Sequence, residues 1–159
     1  MSRTRKRSLF LSVEEEATLA YQIEIARRGC LLADYDTLDM LHGYLTCALW
    51  CENLDGDFSI DQVTKASYKL AEDDIREFIF LVGLVPRKAL IDRAVGGVSS
   101  RIRDSAMGHD LWLTRNGHGA GFWDGDWAEP YASIMTDAAK MLGERNVWTT
   151  RNHRYVYIE

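Results

Sequence analysis

Seventeen consecutive residues, Gly108 to Asp124, constrain the fold of this chain more than any other segment. They read GHDLWLTRNGHGAGFWD and contain four glycines, three aromatic residues and two histidines. The dipeptide Asn116-Gly117 tolerates the positive φ angles of a two-residue hairpin turn. We therefore predict a β-hairpin whose strands are residues 111–115 and 120–124. Its turn would carry Arg115 and His118 beside glycine backbone, and we expect this tip to project into solvent with both cationic side chains free.

Helical spacing of apolar residues dominates the remainder of the chain. It predicts helices over residues 12–29, 38–53, 59–83, 86–102 and 130–142, with the third either continuous or divided in two. Capping boxes at Ser12 to Glu15 and at Ser59 to Gln62 support two of the N-termini. In the last helix the spacing predicts a buried face made of Tyr131, Ile134, Ala138, Met141 and Leu142.

A second hairpin is predicted at the end of the chain, because β-branched and aromatic residues at 147–150 and 155–158 flank a polar turn. Together these elements predict an α+β fold, in which several N-terminal helices pack on a small antiparallel sheet built from hairpin, helix and hairpin. The predicted organisation is a disordered basic arm at residues 1–8, an N-terminal helical extension at 9–37 and a single α+β domain at 38–159.

Composition and charge restrict the class of function. The hydrophobic share of 47% and the charged share of 27% are typical of a globular protein. No apolar run approaches the roughly 20 residues that cross a bilayer, so no membrane partner is predicted. The net charge of −5 argues against a general surface for polyanions.

The three cysteines predict reduced thiols in a cytosol, because their number is odd and no export signal is recognisable. Cys47 and Cys51 share one face of the predicted helix, with His42 about one turn away. A zinc site would need a fourth ligand. We predict small buried thiols here, and neither a metal nor another cofactor.

Residues 110–124 resemble a motif of a family of small proteins encoded by bacteriophages and prophages. That motif commonly reads DFWLTRNGHGAGFWD, and Leu111 stands here in place of the usual aromatic residue. Residues 44–50, YLTCALW, are similar to the Y-L-x-C-A-L-W segment of the same family. The resemblance spans roughly residues 40–159. It implies a phage origin and synthesis in the cytoplasm of the infected bacterial host, and it implies no reaction.

Two interpretations of the motif treat it as structure or as a binding surface. In the first, the tryptophans fill the core of a tight hairpin and the arginine pairs with an aspartate. In the second, the loop binds a host macromolecule, most naturally a host protein that the chain would inhibit. The candidate interface residues are Arg115, Asn116, His118, Phe122, Trp123, Asp124 and Trp127.

Two further interpretations involve nucleic acid or catalysis. A nucleic-acid-binding protein would use basic residues on phosphates and aromatic rings on unpaired bases, the basic residues being Arg3, Arg5, Lys6, Arg7, Arg151 and Arg154. A small metal-dependent enzyme would use His109, Asp110 and Asp124. We favour a non-enzymatic role, because a hairpin would hold His118 at its tip, far from these three. Exposed sheet edges also allow a homodimer.

Overall fold

A computed structural model describes Ala20, Glu24 and residues 27–29, 31–52, 54, 57–85, 89–90, 100–151 and 154–159. The predicted basic arm at residues 1–8 and most of the predicted helices at 12–29 and 86–102 lie outside these ranges. The chain divides into two compact units, Met1–Cys30 and Leu31–Glu159. In the first unit Ala20, Glu24 and residues 27–29 are helical, as predicted.

The described residues of the second unit include the helical residues 31–33, four further helices and two strands. Helix α1 spans Thr37–Cys51, α2 spans Lys65–Val82, α3 spans Ser100–Arg115 and α4 spans Tyr131–Met141; strands β1 and β2 span Val147–Thr149 and Val156–Ile158. A 3-10 turn, Ile60–Gln62, precedes α2. The α+β class is confirmed. So are the predicted helices that correspond to α1, α2 and α4, and the second hairpin.

The first predicted hairpin is wrong. Residues 111–115 form the last turn of α3, and residues 116–130 contain no strand. Gly117 has a φ of 68°, the left-handed conformation in which many helices end. The His118 N–H donates to the Leu113 carbonyl at 3.0 Å and the Gly117 N–H donates to the Thr114 carbonyl at 3.3 Å, the paired bonds of a Schellman C-cap. Asn116-Gly117 therefore ends a helix instead of reversing a strand.

Helices α1 and α3 cross at two glycines. A Cβ atom on Gly43 would lie closer than 3.0 Å to the Ser105 carbonyl oxygen, and one on Gly108 would lie equally close to the carbonyl oxygen of Met40. No side chain fits at either position without moving a backbone. The close approach brings Trp112 of α3 against Tyr44 of α1, with ring centroids 5.0 Å apart in an edge-to-face arrangement.

The two strands pair antiparallel, with Val147 opposite Ile158 and Trp148 opposite Tyr157. Strand β2 packs on the N-terminal part of α2, where the Thr64 N–H donates to the Val156 carbonyl at 3.0 Å and the Ile158 N–H donates to Ser67 Oγ at 2.9 Å. The side chains of Val156 and Ile158 are buried against this helix. The second hairpin thus has an inner face that belongs to the core.

The buried face of helix α4 matches the predicted one in part, since Ala138 is buried and Tyr131 and Leu142 are half-buried against the core. The buried residues of α4 are Ala132, Met135, Ala138 and Ala139, so only Ala138 among them was predicted. Ile134 and Met141 are exposed. None of the helices in the described part of the chain is long and apolar enough to cross a membrane.

Candidate functional site

The expectation that Arg115 projects into solvent is wrong. Arg115 is the last residue of α3, and its side chain is 0% exposed. Its guanidinium donates to the Tyr44 hydroxyl at 2.8 Å, to the Gly143 carbonyl at 2.7 Å and to the Leu142 carbonyl at 3.1 Å. A partner cannot contact a cation held in this way, so Arg115 leaves the set of candidate interface residues.

The charge of Arg115 is balanced by Asp74 of α2. Arg115 Nη1 lies 2.6 Å from Asp74 Oδ2, and Arg145 Nη2 lies 2.8 Å from Asp74 Oδ1. Burial would raise the pKa of Asp74, but the hydrogen bonds and positive charges of Arg145 and Arg115 outweigh it and place the pKa below its ordinary value. Two arginines and one carboxylate therefore join α2, α3 and the segment after α4 in a fully ionised cluster.

Asn116 and His118 belong to the end of α3. The Asn116 side-chain amide donates to the Trp112 carbonyl at 3.0 Å, and its oxygen accepts from the Arg145 N–H at 2.8 Å. Both ends of this amide are therefore bound to its own chain. His118 is half-buried and its backbone N–H closes the helix cap. Both predicted interface residues are half-buried, but the Asn116 amide is already hydrogen-bonded to its own chain.

Phe122 and Trp127 are buried, contrary to the expected exposed loop. Phe122 is 0% exposed, and its ring stacks on Phe78 with centroids 5.5 Å apart. The Phe122 N–H donates to Thr114 Oγ1 at 3.1 Å. The Trp127 indole N–H donates to Asp110 Oδ2 at 2.6 Å. The two aromatic residues therefore fix the backbone on either side of residues 123–126.

Trp123 and Asp124 are exposed between these fixed points. Trp123 is 45% exposed and lies in a tight turn that the Asp124 N–H closes by donating to the Gly121 carbonyl at 3.1 Å. Gly121 has a φ of 151°, and a Cβ atom there would meet the Trp123 ring and Thr114 Oγ1. The neighbouring exposed side chains, Asp124, Asp126 and Glu129, are acidic. The exposed polar residues between Trp123 and Pro130 are thus acidic, in contrast to the predicted cationic tip.

The three residues of the metal-enzyme alternative do not form a metal-binding group. His109 Nδ1 lies 3.1 Å from Asp110 Oδ1, and the other oxygen of Asp110 accepts from Trp127. The Asp124 carboxylate accepts from the backbone N–H of Gly121 at 3.4 Å. Within the described residues no three His, Cys, Asp or Glu side chains could hold a metal ion together.

The two described cysteines lie in α1 with their sulfur atoms 3.9 Å apart. Cys47 is buried, as predicted, and Cys51 is half-buried. Burial raises the pKa of both thiols, which disfavours the thiolate that reacts or binds metals.

An open groove of about 740 Å³ lies between α1 and α3. His109 lines it, and the Asp110 contact at Nδ1 leaves Nε2 of the same ring for another partner. The ring of Trp50, which is 56% exposed, lies 6.5 Å from the His109 ring. The other polar residues of the groove are Asp39, His42, Thr46, Arg101 and Ser105.

The basic residues of the nucleic-acid alternative fall into two groups. Arg3, Arg5, Lys6 and Arg7 lie outside the described residues. Arg151 and Arg154 are exposed at the turn of the second hairpin. Neither forms a salt bridge with a carboxylate of the described part of the chain.

Asp74 and Tyr44 were not among the predicted site residues, although they hold Arg115. A signal for Asp74 exists in the sequence: it follows Ala71 by three residues and precedes Phe78 by four, so it lies on the apolar stripe of α2. A carboxylate on such a stripe predicts a buried cationic partner, but it does not identify which arginine.

Comparisons with protein-family models, curated proteins and solved structures find no match to this chain. The resemblance of residues 110–124 to the bacteriophage motif therefore stays a prediction.

Proposed function

We propose that the chain is an accessory protein that binds a host bacterial protein through the surface around Trp123. We take the bacterial host, and its cytoplasm as the place of action, from the resemblance to the bacteriophage family. The binding role rests on the exposed residues 123–126, which lie between the buried side chains of Phe122 and Trp127. By occupying a host or defence protein, the chain would inhibit it.

The observation that carries this proposal is an exposed tryptophan on a fixed backbone. Trp123 is 45% exposed while Phe122, its neighbour, is fully buried. Tryptophan is enriched among the residues that dominate binding energy at protein interfaces. A side chain whose backbone is already ordered loses less conformational entropy on binding, so more of its contact energy contributes to affinity.

The charges around Trp123 define the chemistry of the partner. Asp124, Asp126 and Glu129 are exposed, and the loop from Asn116 to Pro130 contains no lysine and no arginine. The complementary surface would present an apolar recess for the indole with lysine or arginine side chains at its rim. Such a pair associates faster at low salt than at high salt.

The test is capture from a nuclease-treated lysate of the bacterial host, with the immobilised wild-type chain and its Trp123→Ala variant. We expect the wild type to retain one dominant host protein and the variant to lose at least about 90% of it, because removing a central tryptophan costs roughly 2 kcal/mol or more. Asp124→Asn together with Asp126→Asn should weaken capture less and reduce its dependence on salt.

Trp50→Ala is the matched control, because Trp50 is 56% exposed on α1 and lies outside this surface. It should capture as much as the wild type. Thermal unfolding of both variants should stay near that of the wild type, since each removes an exposed side chain. Equal capture by Trp123→Ala and wild type would contradict the proposal.

A further inference from the structure

The outer face of the second hairpin carries three aromatic rings. Trp148 on β1 lies directly opposite Tyr157 on β2. The next hydrogen-bonded pair is Thr150 and Tyr155, in which the Thr150 N–H donates to the Tyr155 carbonyl at 3.3 Å. Side chains of alternate residues lie on the same face of a strand, so Tyr155 shares the face of Tyr157. Val156 and Ile158 point the other way, into the core.

Two of these rings stack face to face, so the ring surface that stays available for a ligand is the exposed part of Trp148. The centroids of Trp148 and Tyr157 are 4.0 Å apart and their planes differ by 4°. Trp148 is 43% exposed and Tyr155 is 42% exposed. An exposed, planar π-surface of this kind accepts another planar ring by stacking, and every nucleobase has such a ring.

Two cations lie at the turn end of this face. The guanidinium carbon of Arg154 is 5.5 Å from the centroid of the Tyr155 ring, and Arg151 is exposed nearby in sequence. Their positive charge is not neutralised by a carboxylate of the described residues. Arg145, at the start of the hairpin, differs because its guanidinium is bound to Asp74. Arg151 and Arg154 are therefore the cations that a phosphate could reach.

We propose that this outer face binds single-stranded nucleic acid. One or two unpaired bases stack on Trp148 and Tyr155, and the adjoining phosphates contact Arg151 and Arg154. A duplex does not fit this arrangement, because the faces of its bases are covered by their neighbours. The positive charges also favour a polyanion over the basic partner proposed for the Trp123 surface, so the two surfaces bind different molecules.

Binding through two arginines should depend weakly on salt. Each phosphate neutralised on a single strand contributes about 0.7 to the slope of log affinity against log salt, so two contacts predict a slope of about −1.4. The net charge of −5 argues against a general surface for polyanions, so the proposed binding depends on this local patch.

The test uses fluorescein-labelled oligothymidylate and oligouridylate of about 15 nucleotides, the upper range of one small single-strand site. A duplex of the same length is the comparison, and fluorescence anisotropy is the readout. We expect both single strands to bind the full chain and the duplex to bind at least about tenfold more weakly. Comparison of the two single strands then distinguishes DNA from RNA as the natural ligand.

Trp148→Ala should weaken binding of the single strand about 5- to 150-fold, the range that one stacked base contributes. Trp148→Phe keeps a ring and should retain most of the affinity. Trp50→Ala and Trp123→Ala should bind as the wild type does. The double variant Arg151→Gln with Arg154→Gln should bring the salt slope close to zero, which tests the phosphate contacts even if Trp148→Ala fails to fold.

Three results would overturn this proposal. The first is equal affinity of wild type and Trp148→Ala, and the second is equal affinity for duplex and single strand. The third is a Trp148-dependent dimer in sedimentation without oligonucleotide binding. In that case a second copy of the chain, and not a nucleic acid, covers this face.

Discussion

The Arg115 cluster and the outer face of the second hairpin use the same kinds of residue in opposite ways. In the cluster, two arginines, an aspartate and a tyrosine are bound to one another inside the protein. On the hairpin, an arginine lies over the exposed Tyr155, and an exposed tryptophan stacks on the half-buried Tyr157. Residue type alone therefore does not identify a binding site. What matters is whether the hydrogen-bond donors are already satisfied by the chain itself.

Satisfied donors explain why the cluster stabilises the fold. Removing charges from water costs several kcal/mol per ion, and good geometry with additional hydrogen bonds is needed to offset that cost. Arg115 meets this condition by also binding the carbonyls of Leu142 and Gly143 at the end of α4. A cation at this position also interacts favourably with the negative end of the helix dipole.

The largest effect is expected when Asp74 loses its charge. Asp74→Asn leaves two arginines without a counter-ion, so the free energy of unfolding should fall by about 3–5 kcal/mol. Asp73→Asn is the control, because Asp73 is the adjacent residue, is 57% exposed and pairs with Lys69 at the surface. It should change stability by about 0.5 kcal/mol or less. Urea unfolding measures the free energy of unfolding of both variants. Similar losses in the two would show that the buried cluster stabilises the fold no more than a surface ion pair does.

A smaller loss should follow when Arg115 is replaced by glutamine. Asp74 keeps Arg145, so the variant loses the hydrogen bonds of one guanidinium, at a cost of about 2–3 kcal/mol. Arg154→Gln removes the same group from the hairpin, where it is exposed, and should change stability by about 0.5 kcal/mol or less. Thermal unfolding distinguishes the two. An unchanged melting temperature for Arg115→Gln would return Arg115 to the candidate interface.

The smallest expected effect is a loss of folding stability at acidic pH. The pKa of Asp74 is lower in the folded protein than its ordinary value of about 3.9, so its ionised form stabilises the fold above that pH. This contribution should be fully present at neutral pH and should disappear as the pH falls below about 4, through the folded pKa. The stability difference between wild type and Asp74→Asn should therefore shrink in the same range. A constant difference from pH 6 to pH 3 would contradict the proposed ion pairs.

The sequence predicts the helices with long apolar stripes, because burial of a stripe requires only the spacing within the segment itself. Thr37–Cys51 and Lys65–Val82 are of this kind. Residues 111–124 are different, because Asn116-Gly117 suits both a hairpin turn and a helix C-cap. The packing of Gly108 on α1 decides between them, and that contact lies far away in the sequence.

The site was less predictable than the fold. Whether Arg115 is buried depends on Asp74, which lies 41 positions earlier. Whether Trp123 is exposed depends on the burial of Phe122 beside it. The aromatic pair of Trp148 and Tyr157, in contrast, follows from the strand register, since opposite residues of an antiparallel pair share a face.

Photo-crosslinking shows whether a partner contacts Trp123. A photoreactive phenylalanine derivative replaces Trp123 in one variant and Trp50 in a second, and each is irradiated in host lysate. We predict one dominant cross-linked bacterial protein from position 123 that is missing from position 50. The same products from both positions, or none from position 123 in a folded variant, would contradict the account.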